Sequence, residues 1–233
     1  ATNFLKSVGM GPDQFVTFYA VILVAMFLGI VFSAMTFTKE WATFHLFCAV
    51  TLVLIGCAID YQLTNDIRPE NFYFSQFLVG FASGMFIGPL ILIGFINAMQ
   101  RGPSHIISFL VLFTASQSFG GLVGSAFFST YQKHRTQNYQ TEIINTTSLT
   151  NPMVEQRMNG YTQAAKVYTS DPIQASNQAQ SMLNQAINKE AQTRAYNDVI
   201  FLNGLFAVLL LLWRLVLIAM EKYRMWRQQI FIH

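Results

Sequence analysis

The residues of this sequence that could do chemistry are polar side chains set inside long apolar runs. A polar group in hydrocarbon is costly unless it faces a cavity or another helix. The run over 105–131 is the richest, with Ser108, Thr114, Ser116, Gln117 and Ser118 followed by Gly120, Gly121 and Gly124. The run before it carries Ser75, Gln76, Ser83, Gly84, Gly88, Pro89 and Asn97. Taken singly, each Ser or Gly reads as a packing residue. Taken together, Gln76, Ser83, Asn97, Thr114, Gln117 and Ser118 are the side chains expected to line a path for a solute. Gly120 and Gly124, with Gly121 between them, form a small-xxx-small pattern that lets a second helix come close. Gly88 and Pro89 predict a kink in mid-membrane, because proline removes a backbone donor.

The chemistry implied is passage rather than bond-making. Asp60, Glu70 and Asp198 lie at the edges of apolar runs, and no Asp, Glu or Lys lies in the middle of one. Within the runs only His45 and the edge residue His105 would titrate near neutral pH, and a lone His reads first as a helix-helix hydrogen bonder. No nucleophile with a base, phosphate-cradling glycine loop or metal-ligand cluster is legible, so no enzyme activity, cofactor or metal is expected. Cys48 and Cys57 share one apolar run about 13 Å apart as a helix. They cannot bridge there and read as small buried hydrophobes.

The elements that must position these side chains are membrane helices. Of the 233 residues 53% are hydrophobic and 11% charged, against about a quarter charged in an ordinary soluble domain. Charge-free stretches predict spans at about 14–37, 41–60, 72–99 and 105–131, then 198–220, each long enough to cross roughly 30 Å of hydrocarbon. A β-barrel is excluded by the continuous rather than alternating apolarity. The net charge of +3 is too dispersed for a nucleic-acid partner. Lys39, Arg101 and the tail with Lys222, Arg224 and Arg227 fall on one side. The positive-inside rule then puts the N-terminus outside and residues 221–233 in the cytoplasm. Arg214, near the end of the last span, is expected to snorkel to the headgroups.

Residues 132–197 change character to Gln, Asn, Thr, Ser and Ala and read as a soluble excursion. Asp171-Pro172 reads as a helix start, with Ser170 or Asp171 as cap. Ala179, Met182, Leu183, Ala186 and Ile187 then predict one amphipathic helix, and Val154, Met158, Tyr161, Ala165 and Tyr168 another. The two are expected to pack on each other or to offer an apolar strip to a partner. Asn145-Thr146-Thr147 matches a glycosylation acceptor, a pattern too short to weigh.

From Gln76 to Trp213 the order of features resembles the C-terminal end of the 14-helix drug:proton antiporters of the major facilitator superfamily, of the EmrB type. The features are QFLVGFASGMFIGPL, the turn QRGPSH, a span ending in GGLVGSAFFST, a long polar outer loop, QAQSMLNQAINKEAQTRAYNDVIF, and a last apolar helix. With a weaker similarity over Gly11 to Ile59, the resemblance implies that the spans correspond to the tenth to fourteenth helices of such a transporter. It implies a major facilitator fold and export of hydrophobic or amphipathic compounds against protons across the bacterial inner membrane. It further implies a periplasmic adaptor protein as partner on the side of residues 132–197, and an N-terminal half carried elsewhere. Thr114 and Gln117 stand where relatives often have Asn and Arg, and the basic turn after the first span is reduced to Thr38-Lys39-Glu40-Trp41.

Two alternatives stand beside this reading. One is a non-transporting membrane anchor whose outer helices bind a partner. The other is a truncated transporter fragment without activity of its own, since the start at Ala1, without initiator Met or signal, reads as a cut.

Overall fold

The structure is a computed structural model that describes residues 5, 10–36, 38, 41–61, 64, 69–146, 152–167, 169 and 171–230. Every element among them is helical. The helices are α1 (Pro12–Thr36), α2 (Ala42–Asp60), α3 (Phe72–Arg101, entered through a short 3₁₀ turn, Pro69–Asn71), α4 (Pro103–Thr146), α5 (Pro152–Lys166) and α6 (Pro172–Ile230). α1, α2, α3, α4 and α6 are long and apolar enough to cross a membrane.

Local sequence chemistry sets most of the boundaries. Pro12 opens α1 where a missing N–H costs nothing, and Asp13 follows in its first turn, where a negative charge suits the helix N-terminus. Gly102 ends α3 with φ 118°, a conformation that favours glycine, and its N–H donates to the Met99 carbonyl at 3.1 Å. Pro103 then opens α4 directly. Asp171 caps α6 by accepting from the Ile173 N–H at 2.9 Å, as its sequence position predicts. The last positions of the expected second strip, Tyr168, and the other cap candidate, Ser170, lie outside the described residues, as do Lys39, Glu40 and Arg68.

The described residues within 11–61, 68–123 and 200–233 form one compact unit, and those within 1–10, 62–67 and 124–199 another. In the first, the tightest packing joins α1 to α3. Ala25, Gly29 and Ser33 on α1 recur at steps of four and are buried, and Gly80, Gly84 and Gly88 on α3 recur at the same step. A Cβ on Gly29 would stand against the Phe81 carbonyl and 3.0 Å from the Met85 nitrogen. One on Gly84 would stand against the Met26 carbonyl and 2.9 Å from the Ile30 nitrogen. Small-residue stripes on both helices allow this backbone approach. α1 and α2 are joined by His45, 1% exposed. Its Nδ1 donates to the Trp41 carbonyl at 2.8 Å, and its Nε2 lies 2.7 Å from Thr36 Oγ1.

The outward surface is apolar. Val16, Leu23, Phe27, Met35, Leu112, Phe119, Leu122 and Trp213 are each more than 60% exposed, the reverse of what water requires and what lipid accepts. α4 has no buried residue at all. The chain is thus an all-α, multi-pass membrane protein.

The second unit holds the polar segment. Its described residues are nearly all helical: α4 continues past Tyr131 to Thr146, and α6 starts at Pro172 and runs unbroken through Asp198 to Ile230. The expected amphipathic faces appear here. Val154 and Ala165 are buried, with Met158 and Tyr161 half-buried on the same face of α5. Ala175, Ala179, Ala191 and Ala195 are buried along α6, with Met182, Leu183, Ala186 and Ile187 half-buried between them.

Candidate functional site

A groove of about 430 Å³ lies within the first unit, inside the size range of small-molecule sites. α2 contributes Ala49, Val50 and Val53, and α3 contributes Ala82, Ser83, Phe86 and Ile87. α4 adds Gln117, and α6 adds Asn203, Phe206, Ala207 and Leu210. Three uncharged polar side chains thus face an otherwise apolar wall. Phe86 and Phe206, each 42% exposed, and Leu210, 57% exposed, leave it open at one side.

Of the six side chains expected to line a path, Ser83 and Gln117 meet in this groove. The other four are placed differently, each for a local reason. Gln76 Nε2 donates to Asp60 Oδ2 at 3.3 Å, so it is held by the carboxylate that ends α2. Thr114 turns its hydroxyl back onto its own helix, toward the Leu110 and Val111 carbonyls at 2.8 and 3.1 Å. Asn97 and Ser118 are exposed and do not line the groove. Ser83 also donates to the Val79 carbonyl, at 2.8 Å, which leaves its oxygen free to accept.

The packing residues divide in the same way. Gly88 lines a smaller apolar cavity of about 290 Å³ with Ser33, and Pro89 is fully buried within an α3 that remains one helix. Gly120, Gly121 and Gly124 have no atom within 4 Å of an added Cβ. Among the described residues, no helix makes the close approach expected at these three glycines. It is made instead at Gly29, Gly80 and Gly84, where the four-residue recurrence on two separate runs was the available signal.

Arg214, expected to snorkel to the headgroups, is half-buried and reaches the start of α2. It sits four residues after Leu210, continuing the face of α6 that carries Asn203, Ala207 and Leu210 at steps of four, three and four. Its Nη2 donates to Thr43 Oγ1 on α2 at 3.2 Å, and its buried Nε has no hydrogen-bond partner. Asn203 and Arg214 were legible as polar interruptions of the last span, and the face they share follows from the helical period.

The second unit has a polar cluster of its own. Arg135 Nε donates to Asp198 Oδ2 at 2.5 Å, Tyr139 Oη donates to the same oxygen at 3.0 Å, and Arg135 Nη2 donates to Tyr139 Oη at 2.7 Å. Gln140 donates to Asn188 at 2.8 Å further along. Rising numbers on α4 meet falling numbers on α6, so the two polar stretches pair antiparallel. The hydrogen bond to Asp198 raises the Arg135 pKa further, and burial, then Asp198, raises that of Tyr139.

Fold and groove together define a class: a multi-pass helical membrane protein with an open, largely apolar site between its spans. No protein-family model, curated protein or solved structure matches the chain.

Proposed function

We propose that this chain is the C-terminal portion of a proton-driven multidrug efflux transporter of the bacterial inner membrane, exporting hydrophobic or amphipathic compounds by alternating access. The observation that carries the reading is the groove, where Ser83 of α3 and Gln117 of α4 meet an apolar wall of ligand size. Its composition suits compounds that bind by apolar area and are oriented by a few polar groups. The resemblance of Gln76 to Trp213 to the EmrB-type antiporters supports the same conclusion. It supplies the remaining parts of the proposal: a major facilitator fold completed by an N-terminal half, protons as the coupled ion, and a periplasmic adaptor meeting residues 132–197. The N-terminus of the chain is then periplasmic and its C-terminus cytoplasmic.

Replacing Gln117 by Ala in the complete transporter should lower drug resistance several-fold with protein abundance unchanged, whereas Asn97→Ala should not. Unchanged resistance in Gln117→Ala cells would overturn the groove as the substrate site.

One feature favours a second reading, a membrane-anchored interaction protein: the polar stretches of α4 and α6 pack as a unit of their own. Deleting residues 139–170 separates the two. An anchor loses its whole function, while a pump keeps substrate binding to the spans.

A further inference from the structure

The seam between α1 and α3 opens at one end onto a cavity that holds an unused hydroxyl. At Gly84 an added Cβ would meet the Met26 backbone carbonyl, whereas at Gly88 the nearest backbone atom of α1, the Ile30 carbonyl oxygen, is 4.0 Å away. The helices part from there and leave about 290 Å³ between Ile30 and Ala34 of α1 and Ile91, Leu92 and Phe95 of α3. This cavity shares no residue with the groove between α2, α3, α4 and α6. Ile30, Ile91 and Leu92 are also exposed on the outward apolar surface, so entry is from that side.

All but one of the lining residues are apolar and none is charged. The exception is Ser33, 1% exposed, whose Oγ has no hydrogen-bond partner among the described residues. Buried polar atoms in folded proteins are almost always paired. A helical serine can return its hydroxyl to the carbonyl four residues back, as Ser83 does to Val79 at 2.8 Å. Ser33 does not, and its oxygen lies 2.9 Å from where a Cβ on Gly88 would stand. A group that can both donate and accept is thus offered to an apolar space.

We infer that this cavity binds a small neutral amphiphile, an aliphatic body with a single hydroxyl that pairs with Ser33 while the body lies against Ile30, Ile91 and Phe95. The volume is at the lower end for ligand sites, so the occupant is smaller than a drug. Nothing in the walls answers a charge, which excludes ionised amphiphiles. A lipid acyl chain would fill the walls but leave Ser33 unpaired, and a lone water would do the reverse. The site is independent of what the groove carries.

The test is photolabelling of the purified chain, in nanodiscs of zwitterionic lipid, by 3-azioctanol and by the matching diazirine hydrocarbon, with the labelled residues mapped by mass spectrometry. The alcohol should label residues 30–34 and 88–95 saturably and be displaced by octanol. The hydrocarbon should label outward positions such as Leu23 and Phe27 without saturating. Ser33→Ala should weaken the alcohol's half-saturation roughly fivefold, the worth of one net hydrogen bond. Ala34→Phe, at an exposed position on the cavity wall, should fill the space and abolish the saturable labelling in a chain that still melts cooperatively. Equal saturable labelling by the hydrocarbon assigns the cavity to an acyl chain and sinks the inference. Alcohol labelling that never saturates leaves Ser33 to water and sinks it too, as does an unchanged half-saturation in Ser33→Ala. The first two results are read on the unaltered chain, so a variant that fails to fold does not shield the inference.

Discussion

A single methyl group separates the glycines that matter from those that do not. At Gly84 an added Cβ meets the Met26 carbonyl, a backbone atom that cannot move aside without separating two helices. Gly84→Ala should therefore destabilise the protein by about 1–3 kcal/mol, the usual range for overpacking a filled interior. Gly121→Ala meets nothing within 4 Å and should change stability by no more than about 0.5 kcal/mol. Thermal unfolding of the two variants in one detergent compares them directly, and equal melting temperatures would argue against the α1–α3 approach. His45 is the second residue-scale test. Its ring serves two partners, one on each side of the α1–α2 turn. His45→Ala removes both side-chain contacts, but the Trp41 carbonyl keeps the backbone N–H of position 45 and Thr36 keeps the Phe32 carbonyl, so each lost bond should cost about 0.5–1.5 kcal/mol. The same melts would read a loss that Phe44→Ala, at an exposed neighbouring position, would not reproduce.

At the scale of elements, α4 and α6 are held together outside the apolar windows by polar contacts rather than by apolar burial alone. The Arg135–Asp198 pair has side chains 35% and 27% exposed, so solvent screens it. A double-mutant cycle with Arg135→Gln and Asp198→Asn should give a coupling of about 1 kcal/mol or less, falling with salt. Tyr139 adds a pH dependence. Its folded-state pKa is raised, so its contribution is complete below the ordinary phenol value of about 10 and is lost as pH rises through the raised value. Melting temperatures followed into the alkaline range should show that step in the unaltered chain and not in Tyr139→Phe. The distinction between span and soluble excursion belongs to this scale as well. The polar composition of 132–197 was plain in the sequence, as were the Asp171 cap and the amphipathic stripes. A helix leading into the last span was legible too, but the continuation of α4 past Tyr131 was not, because helix propensity and hydrogen bonding carry on where hydrophobicity stops. A change in polarity marks the end of a lipid contact, not the end of a helix.

For the whole molecule, the topology proposed from the basic residues has a direct test. In a version lacking the native cysteines, Asn159→Cys should react with an impermeant thiol reagent in cells with a permeable outer membrane. Tyr223→Cys should react only after the inner membrane is opened, and the reverse pattern would invert the assigned orientation. Both positions are exposed, so reactivity reports sidedness rather than burial. The number of long apolar helices and the helix stops at Gly102 and Pro103 were determined by the sequence alone. Each follows from composition or from the backbone chemistry of one or two residues. Which polar side chains share a site was decided only by tertiary structure. Gln76, Thr114 and Gln117 are alike in sequence as polar residues in apolar runs. Yet one is held by Asp60, one bonds to its own helix and one faces the groove. Rotation of each helix about its axis and the partner it meets fix that outcome, and neither is a property of the run itself. Arg214 shows the same limit: its charge was legible as an interruption of the last span, but its partner was not, because that depended on α2 lying close enough for Thr43 to accept its hydrogen bond.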